Sequence, residues 1–309
     1  MSASAVVFAY HNVGVRCLAA LLGHGVRVPL VLTHADAPGE AVWFASVARL
    51  AEAYAIPTIA PEDPNAAEIV ERVRALAPDF LFSFYYRRML SPRLLGAARR
   101  GAFNVHGSLL PKYRGRAPVN WAVLNGERET GATLHEMVEK PDAGRIVDQQ
   151  AVPILPNDTA REVFDKVTVA AETTLDRCLP ALLAGKAVLR AQDLARGSYF
   201  GARRPEDGRI DWSRDARTIH NLVRAVAPPY PGAFSFVGGP ELRLLRTLDL
   251  GEREEARGAP ALFVRDDRLW VRCADGGLLR VLEAEFGNAP LTASLFWTRF
   301  GAQSVALHN

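Results

Sequence analysis

The sequence predicts an α/β protein: a mainly parallel, Rossmann-like sheet with helices on both faces, joined to a smaller β-rich domain resembling an open barrel. Three observations point there. Up to about residue 200, short apolar runs alternate with stretches of helical period, the pattern of strands joined by crossover helices. From residue 201 the texture changes to closely spaced short runs separated by turn residues. Neither half contains a repeat or a low-complexity tract. The domains are therefore expected at 1–200 and 201–309.

The elements follow in order. Residues 5–9 (AVVFA) and 28–32 (VPLVL) read as buried strands. Between them Val15, Leu18, Leu21 and Leu22 recur at helical spacing, and Gly23 and Gly25 supply a stop. Residues 42–54 and 65–77 read as helices, the second with Ile69, Val70, Val73 and Leu76 on one face. Residues 80–84 (FLFSF) and 102–105 are further strands, and His135 lies on another. Thr159 and Glu162 have capping-box spacing and open a helix running to about Leu183. In the second half a helix at 217–226 precedes β-rich runs at 233–237, 242–248, 261–264, 268–273 and 278–285.

Composition excludes several classes. The 309 residues are 49% hydrophobic and 23% charged, too apolar and too evenly mixed for a disordered chain. A net charge of +3 does not demand a nucleic-acid surface, and it suits an anionic small molecule equally well. Cys17, Cys178 and Cys273 lie far apart with no CxxC pair, so neither a disulfide framework nor a cysteine-rich zinc site is expected. The N-terminal segment lacks the basic region of a signal peptide, and no apolar run is long enough to span a bilayer. The expected compartment is a reducing cytoplasm. There is no GxGxxG after the first strand and no P-loop motif, and no histidine pair has zinc-ligand spacing on a helix. No metal is expected. The other histidines, His24, His34, His135 and His220, carry little weight by sequence.

Residues 101–111 (GAFNVHGSLLP) carry the chemistry. Side chains alternate along a strand, so Phe103 and Val105 face the core while Asn104 and His106 share the opposite face. An amide donor beside a titratable ring suits acyl chemistry; the alternative is a partly buried, hydrogen-bonded structural histidine. Gly107 permits close approach of a ligand to the backbone, and Leu110-Pro111 restricts the turn. Lys112, Arg114 and Arg116 then place three cations within five residues. In an open sheet, ligands bind beyond the carboxyl ends of the strands, where Tyr10, His11 and Asn12 fall.

Five segments, namely FAYHN (8–12), FSFYYR (82–87), NVHGSLLPKYRGRAPVNW (104–121), the later Asp142-Ala143-Gly144, and FGARRPEDGRIDW through HNLVRAVAPPYPGAFSFVG (200–238), resemble the folate-dependent formyltransferases along essentially the whole chain. The likeness is strongest to the branch that formylates UDP-linked 4-amino-4-deoxy-L-arabinose for lipid A modification. In its bifunctional polymyxin-resistance member, a nicotinamide-dependent decarboxylating half follows. This chain ends at residue 309, so that second activity is expected to be absent, and another amino sugar becomes an alternative acceptor.

The resemblance implies 10-formyltetrahydrofolate as donor and an Asn104, His106, Asp142 triad. Asn104 would stabilise an oxyanion, His106 would relay a proton, and Asp142 would orient the imidazole; alone, Asp142 also reads as a turn residue. It implies a donor pocket at Arg88, Met89 and Leu90, at Arg116, and at Val138, Glu139, Lys140, Pro141 and Asp142. Outside that resemblance, Arg87-Arg88 reads as a solvated pair. Tyr10, Asn12, Lys112, Arg114, Arg203 and Arg204 are candidates for the nucleotide-sugar acceptor, the basic ones also reading as a solubilising loop. Partners reduce to that small molecule: no nucleic acid and no membrane insertion, with a homo-oligomer neither required nor excluded. The competing readings are methionyl-tRNA formyltransferase, a glycinamide ribonucleotide transferase, a formyltransferase for another UDP- or TDP-amino sugar, a non-catalytic binding homologue, and a hydrolase releasing formate.

Overall fold

A computed structural model describes residues 3–36, 39, 42–254 and 258–309; the first two residues of the N-terminal segment discussed above lie outside them. In the first half, β1 (Ser4–Ala9), α1 (His11–Gly23), β2 (Arg27–Leu32), α2 (Val47–Ala53), β3 (Thr58–Ile59), α3 (Ala67–Ala75), β4 (Phe80–Phe84), α4 (Pro92–Leu95) and β5 (Gly101–His106) alternate as expected. They are followed by β6 (Arg114–Gly115), α5 (Pro118–Leu124), β7 (Glu129–Glu136), β8 (Ile146–Pro153) and the long α6 (Ala160–Leu183). Seven strands form one sheet in the order β3-β2-β1-β4-β5-β7-β8. The pairs from β3 to β5 are parallel, and β5 with β7 is antiparallel.

Every residue of β1 is sealed, because helices cover both faces of the sheet. Val6 and Phe8 pack with Leu30, Leu32, Val70 and Val73, putting α3 on that face. One expected element differs. Residues 42–46 are not helical: α2 starts only at Val47, where the Ser46 hydroxyl accepts from the Arg49 N–H and caps it. Thr159 and Glu162 do form the reciprocal capping pair that opens α6.

By contact the chain divides into two compact units. One is Met1–Pro118, Thr130–Val152 and Phe164–Gly201; the other is Val119–Glu129, Pro153–Val163 and Ala202–Asn309. The second begins its own run after a short strand, β9 (Tyr199–Phe200). It contains α7 (Ala216–Ala225), β10 (Ala233–Phe236), β11 (Glu241–Arg253), β12 (Ala261–Arg265), β13 (Arg268–Arg272), β14 (Gly277–Phe286), β15 (Ala289–Pro290), α8 (Ala293–Phe300) and β16 (Ser304–Ala306). The order β10-β11-β14-β13-β12-β16 is antiparallel, with irregular register along β11–β14 that lets so long a pair coil. Its interior is filled by Trp212, Ile219, Val223, Leu244, Val271 and Phe296. Trp212 is tied in place twice: its indole N–H donates to Ser235 Oγ (2.8 Å) and its backbone N–H to Asn309 Oδ1 (2.6 Å). His220 packs in this unit, between Thr247 Oγ1 and the Pro156 carbonyl.

Register between β5 and β7 positions the first unit's chemistry. Asn104 pairs with His135, and His106 with Thr133. Thr133 is sealed, and its hydroxyl ties down the loop leaving β5. It donates to Ser108 O (2.6 Å) and accepts from Leu110 N (3.1 Å) and Gln149 Nε2 (2.9 Å). Thr133→Val leaves two buried backbone groups unpaired and should cost about 3 kcal/mol. The expected reading is a lower urea midpoint at unchanged m-value.

Candidate active site

Asn104 and His106 point from the end of β5 to one face, and Phe103 and Val105 are buried on the other. Asp142 joins them from the loop after β7, confirming in space the proximity that the sequence could not show. Its Oδ1 lies 3.6 Å from His106 Nδ1 and 3.5 Å from His135 Nε2. Its Oδ2 accepts the Gly115 N–H at 2.8 Å. Burial alone would raise this carboxyl's pKa. The two imidazoles in their protonated form, together with the Gly115 N–H, outweigh it and hold the group well below the ordinary carboxylate range.

Hydrogen-bond partners fix the rings. A carbonyl only accepts, so His106 Nε2 carries hydrogen and donates to Tyr113 O at 2.8 Å. In the neutral ring, Nδ1 is then the lone-pair nitrogen, and it faces Asp142. By the same logic His135 Nδ1 donates to Glu136 O at 2.9 Å. Its Nε2, when neutral, accepts from Asn104 Nδ2 at 3.1 Å, which leaves the second amide hydrogen of Asn104 for a ligand. These protonation sites are assigned from the partners.

The supporting shell is built close. Tyr113 precedes β6 and Gly115 ends it, and the backbone of β6 runs parallel to β9; Arg114 N bonds Ser198 O (3.0 Å) and Arg116 N bonds Phe200 O (2.9 Å). Asp142 adopts φ 52° and Tyr113 φ 57°, the left-handed region that side chains occupy only when held. Gln192 holds the Asp142 loop: its Nε2 donates to Asp142 O (3.0 Å) and Gly144 O (2.6 Å). Gly144 has no alternative, because a Cβ there would run into the Glu136 carbonyl. Gly107 is likewise required, since the Tyr85 hydroxyl occupies the place of a Cβ.

The remaining expected residues are placed as follows. Arg88 and Met89 are exposed and Leu90 is buried, in the loop after β4. Arg116 Nη2 donates to Arg87 O in that loop at 3.0 Å. Within it, Tyr86 stacks on His34 with ring centroids 4.1 Å apart; its hydroxyl is sealed without a protein partner, and burial pushes its pKa up to about 12. Val138, Glu139 and Lys140 are exposed, and Pro141 is half-buried. Tyr10 donates to Asp36 Oδ1 (2.5 Å) and carries the Arg87 guanidinium over its ring. With Thr33, His34, Asp36 and Phe44 it lines a pocket beyond the ends of β1 and β2. Asn12 Oδ1 accepts from Ala45 N, joining α1 to the segment before α2. In the second unit, Arg203 lies over the Trp121 ring at 4.9 Å and donates to Asp207 O, while Arg204 is exposed. Among the described residues no cluster of His, Cys, Asp or Glu is arranged to hold a metal, and no helix is long and apolar enough to cross a membrane.

Sequence reasoning passed over two residues. His135 is a full member of the cluster, and Gln192 grips its loop from beyond α6. The only available signal for His135 was its alternation with Thr133 on a strand, and that becomes informative only once β7 is paired with β5.

Residues 17–179 match the formyl transferase family, and residues 203–301 match the formyl transferase C-terminal domain. The chain belongs to the formyl transferase family. Solved structures share the fold at low identity. An N-formyltransferase from Helicobacter canadensis, in complex with folinic acid and dTDP-3-aminofucose, superposes with a TM-score of 0.71 at 21% identity, over 91% of this chain and 99% of that one. WlaRD, a sugar 3N-formyltransferase in the presence of dTDP and 5-N-formyl-THF, gives 0.71 at 20% identity, over 91% and 97%. A sugar N-formyltransferase from a Shewanella species gives 0.62 at 18% identity, over 79% and 96%.

The depressed carboxyl has a measurable consequence. A group whose folded pKa lies below its unfolded value of about 3.9 contributes stability above that pH and loses it as the pH falls towards the folded value. The stability difference between wild type and Asp142→Asn should therefore be largest near neutrality and shrink below about pH 4, read from urea midpoints. A difference that widens on acidification would contradict this account.

Proposed function

We propose that this chain transfers a formyl group from 10-formyltetrahydrofolate to the amine of a nucleotide-linked amino sugar. We propose UDP-4-amino-4-deoxy-L-arabinose, the acceptor of the formyltransferase domain of ArnA, as that sugar. The observation that carries the reading is the convergence of Asn104, His106 and Asp142: the acid lies 3.6 Å from His106 and 3.5 Å from His135, and His135 in turn bonds Asn104. The motif resemblance along the chain and the sugar N-formyltransferases among its structural neighbours support it.

The residues expected for the donor fit a folate. The loop after β4 offers backbone groups, an exposed Met89 and the sealed, unpartnered Tyr86 hydroxyl, and Arg116 anchors it. When bound, the donor supplies an electrophilic formyl carbon on a nitrogen able to leave. The protein's own work is then threefold. Asn104 aims its remaining Nδ2 hydrogen at the oxygen that gains charge. His106 accepts the amine's proton at Nδ1, since Nε2 is committed to Tyr113 O, and returns it to the folate nitrogen as the bond from that nitrogen to the formyl carbon breaks. Asp142 stabilises the imidazolium so formed.

The proposed triad would serve any amine, so the sugar and the base are tested directly. Incubating UDP- and dTDP-amino sugars with 10-formyltetrahydrofolate and reading product by mass should give the largest formylated yield with UDP-4-amino-4-deoxy-L-arabinose. Preference for a dTDP sugar, as in the neighbours, would move the acceptor and keep the reaction. Formate release without any acceptor would replace transfer by hydrolysis. His106→Ala should lower turnover about 10²- to 10⁴-fold and Asn104→Ala about 10²- to 10³-fold, with folate affinity nearly unchanged in both. Turnover unaltered by His106→Ala would remove the assigned proton acceptor.

A further inference from the structure

The site holds a buried cation with no ion-pair partner among the described residues. Arg114 is 8% exposed, its Nε is sealed from solvent, and no acceptor among the described residues receives a hydrogen bond from its guanidinium. This is not the habit of the other buried arginine among the described residues. Arg224 is 3% exposed, yet it donates from Nε to Asn221 Oδ1 (2.9 Å) and from Nη1 to Asp158 O (3.2 Å). The neighbouring Arg116 is likewise engaged, on Arg87 O. An unpaired buried charge is among the most costly groups a fold can retain, and it persists where a ligand supplies the opposite charge.

Its position narrows the ligand. Arg114 sits between Tyr113, whose carbonyl holds His106, and Gly115, whose N–H holds Asp142. Its Cα is thus fixed by the same backbone segment that frames the two proposed catalytic groups. An anion bound by it meets a side chain rooted in the backbone beside His106 and Asp142. A guanidinium pairs bidentately with the planar or tetrahedral oxygens of carboxylate and phosphate. In an amino sugar activated at its anomeric carbon, the phosphate ester stands one ring away from the amine. We infer that Arg114 is the receptor for the diphosphate of the acceptor, so that the substrate class is a nucleoside diphosphate sugar and not a neutral amino sugar. The inference rests on the nucleotide-sugar reading proposed above. The other source of an anion is the glutamate carboxylate of the donor, and the experiment separates the two.

The test uses the full chain and its Arg114→Met and Arg114→Lys variants, with UDP, inorganic pyrophosphate and folinic acid as calorimetric probes. Wild type should bind UDP. Arg114→Met, which keeps the length and apolar bulk of the side chain, should lose about 10²-fold in UDP affinity or more, the usual penalty for truncating one partner of a buried charge pair. Arg114→Lys keeps the charge without the fork and should fall between them. Pyrophosphate should follow UDP, and folinic acid should bind all three proteins alike. Folinic acid affinity falling with the variants would assign the cation to the donor and overturn the inference, and so would unchanged UDP affinity in Arg114→Met. Retained folinic acid binding also shows that a variant is folded. UDP binding by wild type without formylation of any nucleotide amino sugar would sink the proposed reaction and leave the receptor standing. Formylation with an acceptor KM unaltered by Arg114→Met would do the reverse.

Discussion

A carboxylate buried between two imidazoles is the constraint around which the first unit is arranged. Asp142 keeps its charge only because His106, His135 and the Gly115 N–H surround it. Each of these arrives from a different stretch: the end of β5, the end of β7 and the short β6. The antiparallel pairing of β5 with β7 sets Asn104 directly against His135. That one register puts the carboxamide and both rings around the acid. A shift of one residue would turn His135 to the opposite face and leave the acid short of a partner.

Holding that charge requires backbone in costly conformations. Tyr85, Tyr113 and Asp142 all have φ between 52° and 57°, where non-glycine residues carry roughly 1–3 kcal/mol of strain each. The surroundings over-determine them. Gln192 fixes two carbonyls of the Asp142 loop, Ser198 Oγ accepts from Tyr113 N, and the Tyr85 ring closes over Gly107. The parallel strands beneath are sealed on both faces and supply the rigidity against which such strain is held. Loops at the carboxyl ends of a rigid sheet can be shaped by function because the sheet's stability does not depend on them.

Much of this was legible in the residues. Continuous apolar runs gave β1, β2 and β4 to within about a residue, as the reading of 102–105 did β5, and alternation put Asn104 and His106 together on one face. Turn spacing gave the antiparallel run of the second unit. The start of α2 was misjudged because residues 42–46 are apolar enough to continue a helical pattern, while the Ser46 cap and the bond from Asn12 to Ala45 N decide otherwise. Helix α8 and β16 were missed: eight residues and three are too few for periodicity to stand out. Asp142 came from family resemblance, since nothing local distinguishes it from a turn aspartate. Gln192 was beyond reach because its partners are backbone carbonyls fifty positions away.

The same limit applies to the orientation of the catalytic groups. His135 Nδ1–H is locked by a carbonyl on its own strand, so its Nε2 takes one hydrogen of Asn104 and turns the amide until the other faces out. His106 Nε2–H is locked by the Tyr113 carbonyl, so its basic nitrogen faces the acid. In the proposed reaction, proton handling and charge stabilisation thus fall to separate side chains, each fixed by a separate backbone oxygen. Any residue can supply such an oxygen, so side-chain identities cannot reveal it. A motif can therefore name the groups that do the chemistry, while the fold alone decides which atom of each is offered to the substrate.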